Sequence, residues 1–181
     1  MRKLILYIAA SVNGKIAGTD GSVAWLDAFS NPDAGDYGYQ EFYEGVDTTI
    51  QGNATYKQIL DWGIEFPYKG KSNYVFTANP AYLDNDDVKF ISSDHKQFIK
   101  DLKQQEGKDI WLIGGGKTNS AMLSAGLIDE IRLFVMPIVL QGGIETFDGL
   151  PAETKLTLEE SSTFDGGVLA LVYSVNNNQS T

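Results

Sequence analysis

The sequence predicts an α/β fold with a mostly parallel central sheet and an antiparallel C-terminal edge. Residues 4–10 form a nearly continuous apolar run, the pattern of a strand that is covered on both faces. Strand patterns then alternate with helical patterns as far as about residue 140, which favours parallel pairing through crossover helices. The chain ends with two extended runs, 155–164 and 168–175, and the Asp165-Gly166-Gly167 segment between them is typical of a hairpin.

The composition indicates one globular domain. The chain has 181 residues, of which 43% are apolar, and this length and apolar content suit a single core. We therefore predict one domain over residues 1–175, followed by a polar tail over residues 176–181. The apolar run near the N-terminus is too short to cross a bilayer and leads into a turn without a cleavage context, so we interpret it as the first buried strand.

The charge and the absence of cysteine exclude several classes of function. A formal net charge of −10 disfavours nucleic acid and anionic membranes as partners and favours a small molecule. Because the chain has no cysteine, disulfides, thiol chemistry and cysteine-ligated metal are excluded, and a cytoplasmic location is expected. The single histidine, His95, is predicted to lie at the surface without a partner, so no metal site is predicted.

The remaining elements follow from hydrophobic periodicity and turn residues. A mobile loop is predicted over residues 18–21. The apolar segment 129–140 is predicted to be one strand interrupted by Pro137, and it could also serve as a dimer contact. Four helices are predicted: residues 32–45, residues 54–62 after an N-cap at Asn53, a helix that begins at a Ser92 or Ser93 cap and ends at about 105, and a helix from near 117 to 125. Further strands are predicted over residues 15–17, 47–51, 73–77, 88–91 and 110–113.

Three consecutive glycines, Gly114, Gly115 and Gly116, separate a short apolar strand from a helix that begins near Lys117. Without a Cβ, the main chain there can come within hydrogen-bonding distance of a phosphate, and the following helix would point its amides at the anion. A purely structural turn is the alternative. Gly52 lies at a similar strand-to-helix junction, which suggests one extended anionic ligand across the carboxyl edge of the sheet.

The Gly116-Lys117-Thr118 segment also resembles the end of a Walker A loop. That motif requires a further glycine five residues before the last one, and Trp111 occupies this position. The loop is too short to wrap a triphosphate, so nucleotide hydrolysis is disfavoured.

Three segments together resemble a known family. Residues 10–17 read ASVNGKIA, residues 52–56 read GNATY, and residues 113–116 read IGGG before LIDEIRL at residues 127–133. In this order they are similar to motifs of the dihydrofolate reductase-like superfamily, and specifically of the RibD C-terminal domain, the reductase domain of the riboflavin-biosynthesis deaminase/reductase. The resemblance covers nearly the whole chain and implies a three-layer α/β/α fold and an NADPH-dependent reductase.

The resemblance also implies where the cofactor binds. The pyrophosphate is expected at residues 114–117, the adenosine phosphate beside residues 53–55 and Thr77, and the nicotinamide against small residues of the first two strands. The Gly114–Gly115 peptide bond is expected to be cis, and Trp25 is expected to border the substrate. The implied cofactor contacts are Ala9, Ala10, Ile16, Ala17, Gly52, Asn53, Ala54, Thr55, Thr77, Ile113, Gly114, Gly115, Gly116, Lys117 and Thr118.

Two departures from the family pattern bear on specificity. Asn53 and Ala78 stand where the family commonly has cations that favour the 2′-phosphate of NADPH, so the preference between NADPH and NADH is open. A lysine at position 57, 69 or 71 could supply the missing charge. The acid that dihydrofolate reductases place beside the pterin is replaced by Ser30, which disfavours folate reduction.

The proton donor is open from the residues alone. Asp27 is the first catalytic candidate together with Trp25, and Asp20 and Glu41 are alternatives. Trp25 fits a lid over the site and a core position equally well.

The leading hypothesis is a reductase that passes hydride from a reduced nicotinamide to a C=N or C=O bond of a small heterocycle, similar to 5-amino-6-(5-phosphoribosylamino)uracil reductase. NADPH is the expected cofactor, and NADH is the alternative. Two other hypotheses stay open: a nucleotide- or ligand-binding protein that keeps the fold without turnover, and a homodimeric interaction protein.

Overall fold

The computed structural model describes residues 1–30 and 35–176. Two short 3₁₀ helices, Ala24–Phe29 and Asp165–Gly167, accompany the main elements. In chain order these are β1 (Leu4–Ser11), β2 (Lys15–Ala17), α1 (Tyr39–Gly45), β3 (Val46–Gly52), α2 (Asn53–Asp61), β4 (Ser72–Phe76), β5 (Lys89–Ile91), α3 (His95–Gln104), β6 (Asp109–Gly114), α4 (Gly116–Ser124), β7 (Glu130–Met136), β8 (Ile144–Glu145), β9 (Leu156–Thr163) and β10 (Leu169–Val175).

An eight-stranded sheet in the order β5-β4-β3-β6-β1-β7-β10-β9 organises the chain. The strands from β5 to β7 run parallel, whereas β10 pairs antiparallel with both β7 and β9. The predicted fold class, a mostly parallel sheet with an antiparallel C-terminal edge, is therefore confirmed. Strands β2 and β8 form a separate two-stranded sheet.

Helices cover both faces of the sheet. Leu4 and Leu6 of β1 pack into one apolar cluster with Ile99 of α3 and Met122 of α4. Ile5, which points to the opposite face because side chains alternate along a strand, packs into a second cluster. That second cluster contains Phe42 of α1 and Tyr56 and Ile59 of α2. The structure therefore has the predicted three layers, α/β/α.

Two predicted helix starts are wrong. The helix predicted over residues 32–45 begins at Tyr39, after Gly38 in a left-handed conformation at φ 78°; residues 31–34 lie outside the described part of the chain. Asn53 is not an N-cap but the first residue of α2, and Gly52 precedes it without a side-chain cap. The Asn53 side chain instead donates to the Tyr82 hydroxyl at 3.2 Å, so a partner beyond the helix competes with the cap.

Three further expectations are corrected. The strand predicted to reach residue 140 ends at Met136, because Pro137 lacks the amide donor that a ladder needs. Helix α3 begins at His95 after Asp94 and not after a serine cap. His95 is half-buried with partners: its ring stacks on Phe76 with centroids 4.3 Å apart, and Nε2 lies 2.8 Å from the carbonyl oxygen of Ile91.

The apolar strand that could have served as a dimer contact lies inside the sheet. Strand β7 pairs with β1 on one side and with β10 on the other, so both of its edges are used within the chain. Within residues 1–30 and 35–176, no helix is long and apolar enough to cross a bilayer. Of the predicted polar tail, residues 177–181 lie outside the described residues.

Candidate functional site

Two helices begin side by side at the carboxyl edge of the sheet. Strands β3 and β6 are parallel neighbours, with Gln51 opposite Gly114. Each strand runs directly into a helix, α2 after Gly52 and α4 after Gly115. The first amides of a helix have no partner within the helix, and the macrodipole makes this end attractive to anions. Two such ends at one edge can hold an anion between them.

Glycines let the turns of this edge pack closely. The Gly114–Gly115 peptide bond is cis, as the resemblance implied, and Gly114 has φ 113°. A Cβ on Gly116 would overlap the carbonyl oxygen of Glu145, and a Cβ on Gly52 would lie 2.7 Å from Oγ1 of Thr118. A side chain at either position would therefore collide with neighbouring protein atoms, so glycine is needed for these segments to pack this closely.

Side chains fix the glycine turn from behind. The amide of Gly115 donates to Oγ1 of Thr55 at 3.0 Å, and its carbonyl oxygen accepts from the amide of Asn119 at 2.9 Å. Asn119 is fully buried, and its Nδ2 donates to the carbonyl oxygen of Thr146 at 2.9 Å. The turn is thus held to α2 on one side and to the segment after β8 on the other.

A cleft of about 940 Å³ runs along this edge. The structure brings most of the predicted cofactor contacts together there. Four of the predicted contacts do not line the cleft: Ala10, Asn53, Thr77 and Gly114. Of these, Ala10 and Thr77 are buried. The predicted residues that line the cleft are Ala9, Ile16, Ala17, Gly52, Ala54, Thr55, Ile113, Gly115, Gly116, Lys117 and Thr118.

The two predicted catalytic residues lie outside the cleft lining. Trp25 is half-buried and packs with Phe134 behind the site, and its Nε1 is buried without a partner among the described residues. Asp27 is exposed and lines neither this cleft nor the neighbouring cavity. Of the alternative acids, Asp20 lines the cleft, whereas Glu41 is exposed and lines neither space.

A second cavity of about 640 Å³ adjoins the cleft. Both spaces are lined by Tyr7, Ala9 and Leu26, so they meet at these residues. This cavity was not predicted from the sequence, because Tyr7 lies within an apolar strand and a hydrophobic pattern does not distinguish its hydroxyl from an apolar side chain. The other lining residues are Phe29, Ser30, Gly35, Asp36, Tyr37, Tyr39, Phe134 and Met136.

Tyr7 is held rigidly where the two spaces meet. Its ring stacks on Phe42 with centroids 4.2 Å apart and also contacts Phe134 at 4.7 Å. Burial raises the pKa of Tyr7 well above its ordinary value; the Asp36 carboxylate acts in the same direction, and Arg132 acts against it. The hydroxyl is therefore protonated at neutral pH and can donate a hydrogen bond.

Comparison with known proteins identifies the family. The model of the RibD C-terminal domain matches residues 69–170. This chain belongs to the RibD C-terminal domain family. It is similar to the uncharacterized protein YwjB of Bacillus subtilis (strain 168), with 41% identity over 92% of this chain and 95% of the relative. It is also similar to the uncharacterized protein YyaP of the same strain, with 30% identity over 97% and 96%.

Solved structures agree with this membership of the RibD C-terminal domain family. A candidate riboflavin biosynthesis protein from Shewanella sp. PV-4 superposes with a TM-score of 0.84 at 28% identity, over 96% of this chain and 99% of that one. Dihydrofolate reductase from Enterococcus faecalis, complexed with NADP(H), superposes with a TM-score of 0.64 at 18% identity, over 96% of both chains. The latter shows that the fold is dihydrofolate reductase-like.

Of the lysines at positions 57, 69 and 71, which could replace the cations missing at Asn53 and Ala78, one lies at the cleft. Lys57 lines it, with Nζ 5.7 Å from the centroid of the Tyr82 ring, and a hydrogen bond to Tyr82 raises the pKa of Lys57. Lys69 pairs with Glu65 at the surface. Lys71 donates to the carbonyl oxygen of Val46, where β3 begins, so it lies at the opposite edge of the sheet. In this RibD C-terminal domain protein, Lys57 is therefore the lysine of the three that could meet a cofactor phosphate.

Proposed function

We propose that this protein is a nicotinamide-dinucleotide-dependent reductase that transfers hydride to a C=N or C=O bond of a small, flat heterocycle. The observation that carries the proposal is the meeting of the first turns of α2 and α4 across a glycine turn, at the rim of a cleft with a wall of small residues. A dinucleotide needs both features: an anion site for its pyrophosphate and a flat apolar wall for its ring.

The residues present fit such a cofactor. The amides of Gly116, Lys117 and Thr118 would hold the pyrophosphate, since they belong to the first turn of α4 and the first amides of a helix lack partners within it. Ala9, Ile16, Ala17 and Ile113 would line the nicotinamide, and Lys57 would lie toward the adenosine phosphate. We propose NADPH as the cofactor, with NADH as the alternative.

A reduced nicotinamide supplies the hydride, and the chain's own residues bind and orient the reactants and exclude water. Tyr7 lies between the cofactor cleft and the aromatic cavity, where its protonated hydroxyl would donate a hydrogen bond to the substrate. Hydride adds to the carbon, and the proton that completes the reduction at nitrogen or oxygen is assigned to the Tyr7 hydroxyl instead of Asp27, with water restoring the tyrosine proton. Trp25 is proposed to support the substrate wall from behind.

A bifunctional enzyme with a reductase activity shares the fold of this protein. A Thermotoga maritima protein described as a deaminase and 5-amino-6-(5-phosphoribosylamino)uracil reductase superposes with a TM-score of 0.74 at 16% identity, and this chain spans 56% of its length. At that identity the likeness shows the fold alone, so the reductase activity proposed here rests on the site.

We further propose that the protein is a cytoplasmic homodimer. Size-exclusion chromatography with light scattering tests the oligomeric state.

Deuterium transfer tests the proposed reaction. The protein is incubated with NADPH deuterated at either face of C4 and with a panel of pteridines and aminopyrimidines, and the products are examined by mass spectrometry. We expect deuterium in a product from one of the two forms only, because the small-residue wall fixes which face of the ring meets the substrate. NADPH that binds but passes deuterium to no member of the panel would favour the binding protein without turnover.

A further inference from the structure

The cavity beside the cofactor cleft is built to hold a flat ring. Four aromatic side chains line it in addition to Tyr7: Phe29, Tyr37, Tyr39 and Phe134. Its volume of about 640 Å³ lies within the range of small-molecule sites. Because aromatic faces stack on other aromatic rings, the shape and lining favour a planar heterocycle.

Among the described residues that line this cavity, Asp36 is the one with a charged side chain, and it is exposed to solvent. Its carboxylate accepts the amides of Gly38 at 3.0 Å and Gln40 at 2.6 Å, and these backbone hydrogen bonds lower the pKa of Asp36. The group is therefore ionised at neutral pH. A carboxylate has about four acceptor sites, so this one retains the capacity to accept an N–H from a ligand.

No lysine or arginine is among the described residues that line this cavity, although Arg132 is close enough to act on the pKa of Tyr7. Lys57 and Lys117 line the cofactor cleft, close to the helix starts assigned to the cofactor's phosphates. The guanidinium of Arg132 lies over the Phe42 ring at 5.4 Å, and its Nε donates to Glu130 at 2.6 Å, outside the cavity lining. Residues 31–34, next to the lining in sequence, read NPDA and contain no lysine or arginine. A phosphate in this cavity would therefore meet a carboxylate without a matching cation.

We propose, on the basis of the reductase function proposed above, that the substrate of this protein is an amino-substituted flat heterocycle that carries no phosphate. The amino group donates to the Asp36 carboxylate, and a ring nitrogen or oxygen accepts from the Tyr7 hydroxyl. A phosphoribosylated substrate, such as that of the Thermotoga maritima reductase, places a dianion where this chain presents a negative charge.

Binding of matched ligands to the full-length protein tests this substrate class. Pterin is compared with lumazine, in which an oxo group replaces the 2-amino group, and neopterin is compared with neopterin monophosphate. Dissociation constants are measured by isothermal titration calorimetry with and without saturating NADP⁺. The proteins are the wild type, Asp36→Asn, whose single carboxamide oxygen can accept one of the two amides, that of Gly38 or that of Gln40, which the carboxylate accepts, and Glu44→Gln, a matched loss of charge on α1 outside both spaces.

We expect the wild type to bind pterin about tenfold more tightly than lumazine, and neopterin at least about tenfold more tightly than its phosphate, the size of effect typical of one charge-assisted hydrogen bond. Both ratios should fall toward one in Asp36→Asn and persist in Glu44→Gln. Tighter binding of the phosphate, ratios that do not change in Asp36→Asn, or no binding of any pteridine would overturn the proposal. If NADPH does not bind but both ratios hold, the reductase function fails and the heterocycle site stands.

Discussion

The backbone amide of Gly115 donates a 3.0 Å hydrogen bond to the side-chain hydroxyl of Thr55. Gly115 immediately precedes α4, and Thr55 lies in the first turn of α2. This single contact joins the two helix starts that we propose to hold the cofactor pyrophosphate. Its removal should therefore affect nucleotide binding more than the overall fold.

Replacing Thr55 with valine removes the acceptor and keeps the side-chain shape. We expect a loss of about 1 kcal/mol in the free energy of unfolding, the ordinary size of one intramolecular hydrogen bond, and roughly tenfold weaker binding of NADPH, because the glycine turn is no longer fixed. Fluorescence titration and urea denaturation measure the two quantities. Thr55→Ser retains the hydroxyl and should behave nearly as the wild type; equal NADPH affinity for the valine variant would contradict the role of this contact.

Lys57 should distinguish the two nicotinamide cofactors. It lines the cleft near Asn53 and Tyr82, which hydrogen-bond to each other at 3.2 Å. If its ammonium group meets the 2′-phosphate, Lys57→Met should weaken NADPH binding about tenfold and leave NADH binding within about twofold. Lys69→Met, which removes a lysine paired with Glu65 at the surface, is the control. An equal loss for both nucleotides would show that Lys57 does not read the 2′-phosphate.

The hydroxyl of Tyr7 should matter for the heterocycle and not for the dinucleotide. Tyr7→Phe keeps the ring stacked on Phe42 while removing the donor. We expect roughly tenfold weaker binding of pterin with an unchanged affinity for NADPH, measured by calorimetry. Tyr43→Phe, in the same aromatic group but outside both spaces, should change neither affinity. A Tyr7→Phe protein that binds pterin normally would remove Tyr7 from the proposed site.

Tyrosines whose pKa is raised, the buried Tyr68 and the partly covered Tyr39, should make the protein sensitive to alkali. Burial raises the pKa of Tyr68 above its ordinary value and that of Tyr39 to about 12. The folded state then keeps these protons more tightly than the unfolded chain does, so their contribution to stability is complete below pH 10 and is lost as the pH rises above 10. A fully buried tyrosine contributes a fall of about 1.4 kcal/mol per pH unit in this window.

Urea denaturation of the wild type and of Tyr68→Phe at pH 7.5 and at pH 11 measures this effect. The free energy of unfolding should fall less between the two pH values in the variant than in the wild type. The difference between the two proteins at pH 7.5 measures the effect of the substitution on packing alone. An equal fall in the free energy of unfolding in both proteins would show that the pKa of Tyr68 is not raised in the folded state.

The sequence was most informative where local chemistry and tertiary structure agree. The apolar run 4–10 predicted a buried strand, and β1, Leu4–Ser11, lies in the middle of the sheet between β6 and β7. The three glycines at the end of β6 predicted a tight turn, either for a phosphate or for packing alone; the side chain of Asn119 and the carbonyl oxygen of Glu145 are neighbours that require glycine at 114 and 116, and the phosphate stays a prediction. Both features depend on residues next to one another in the chain.

The features that the sequence analysis predicted wrongly or did not predict depend on residues far apart in the chain. The cavity is assembled from β1, β7, the 3₁₀ helix and the segment before α1, so no local pattern marks it. Asn53 was expected to cap α2, but its side chain donates a hydrogen bond to the hydroxyl of Tyr82, which is far along the chain. His95 was expected at the surface, but the Phe76 ring covers it. Asp27, named from the sequence as a catalytic candidate, is exposed and lines neither space; its catalytic role stays a prediction.

Titration with NADPH and NADH, followed by quenching of tryptophan fluorescence, tests the central claim most directly. Three proteins are compared: the wild type, Gly115→Ala and Gly45→Ala. A Cβ on Gly115 would lie 3.1 Å from Oγ1 of Thr55, whereas a Cβ on Gly45, which lies just before β3 begins, meets nothing within 4 Å. We predict saturable binding of a reduced nucleotide that Gly115→Ala weakens and Gly45→Ala leaves unchanged. Binding of neither nucleotide to the wild type would contradict the account and leave the glycine turn as scaffold.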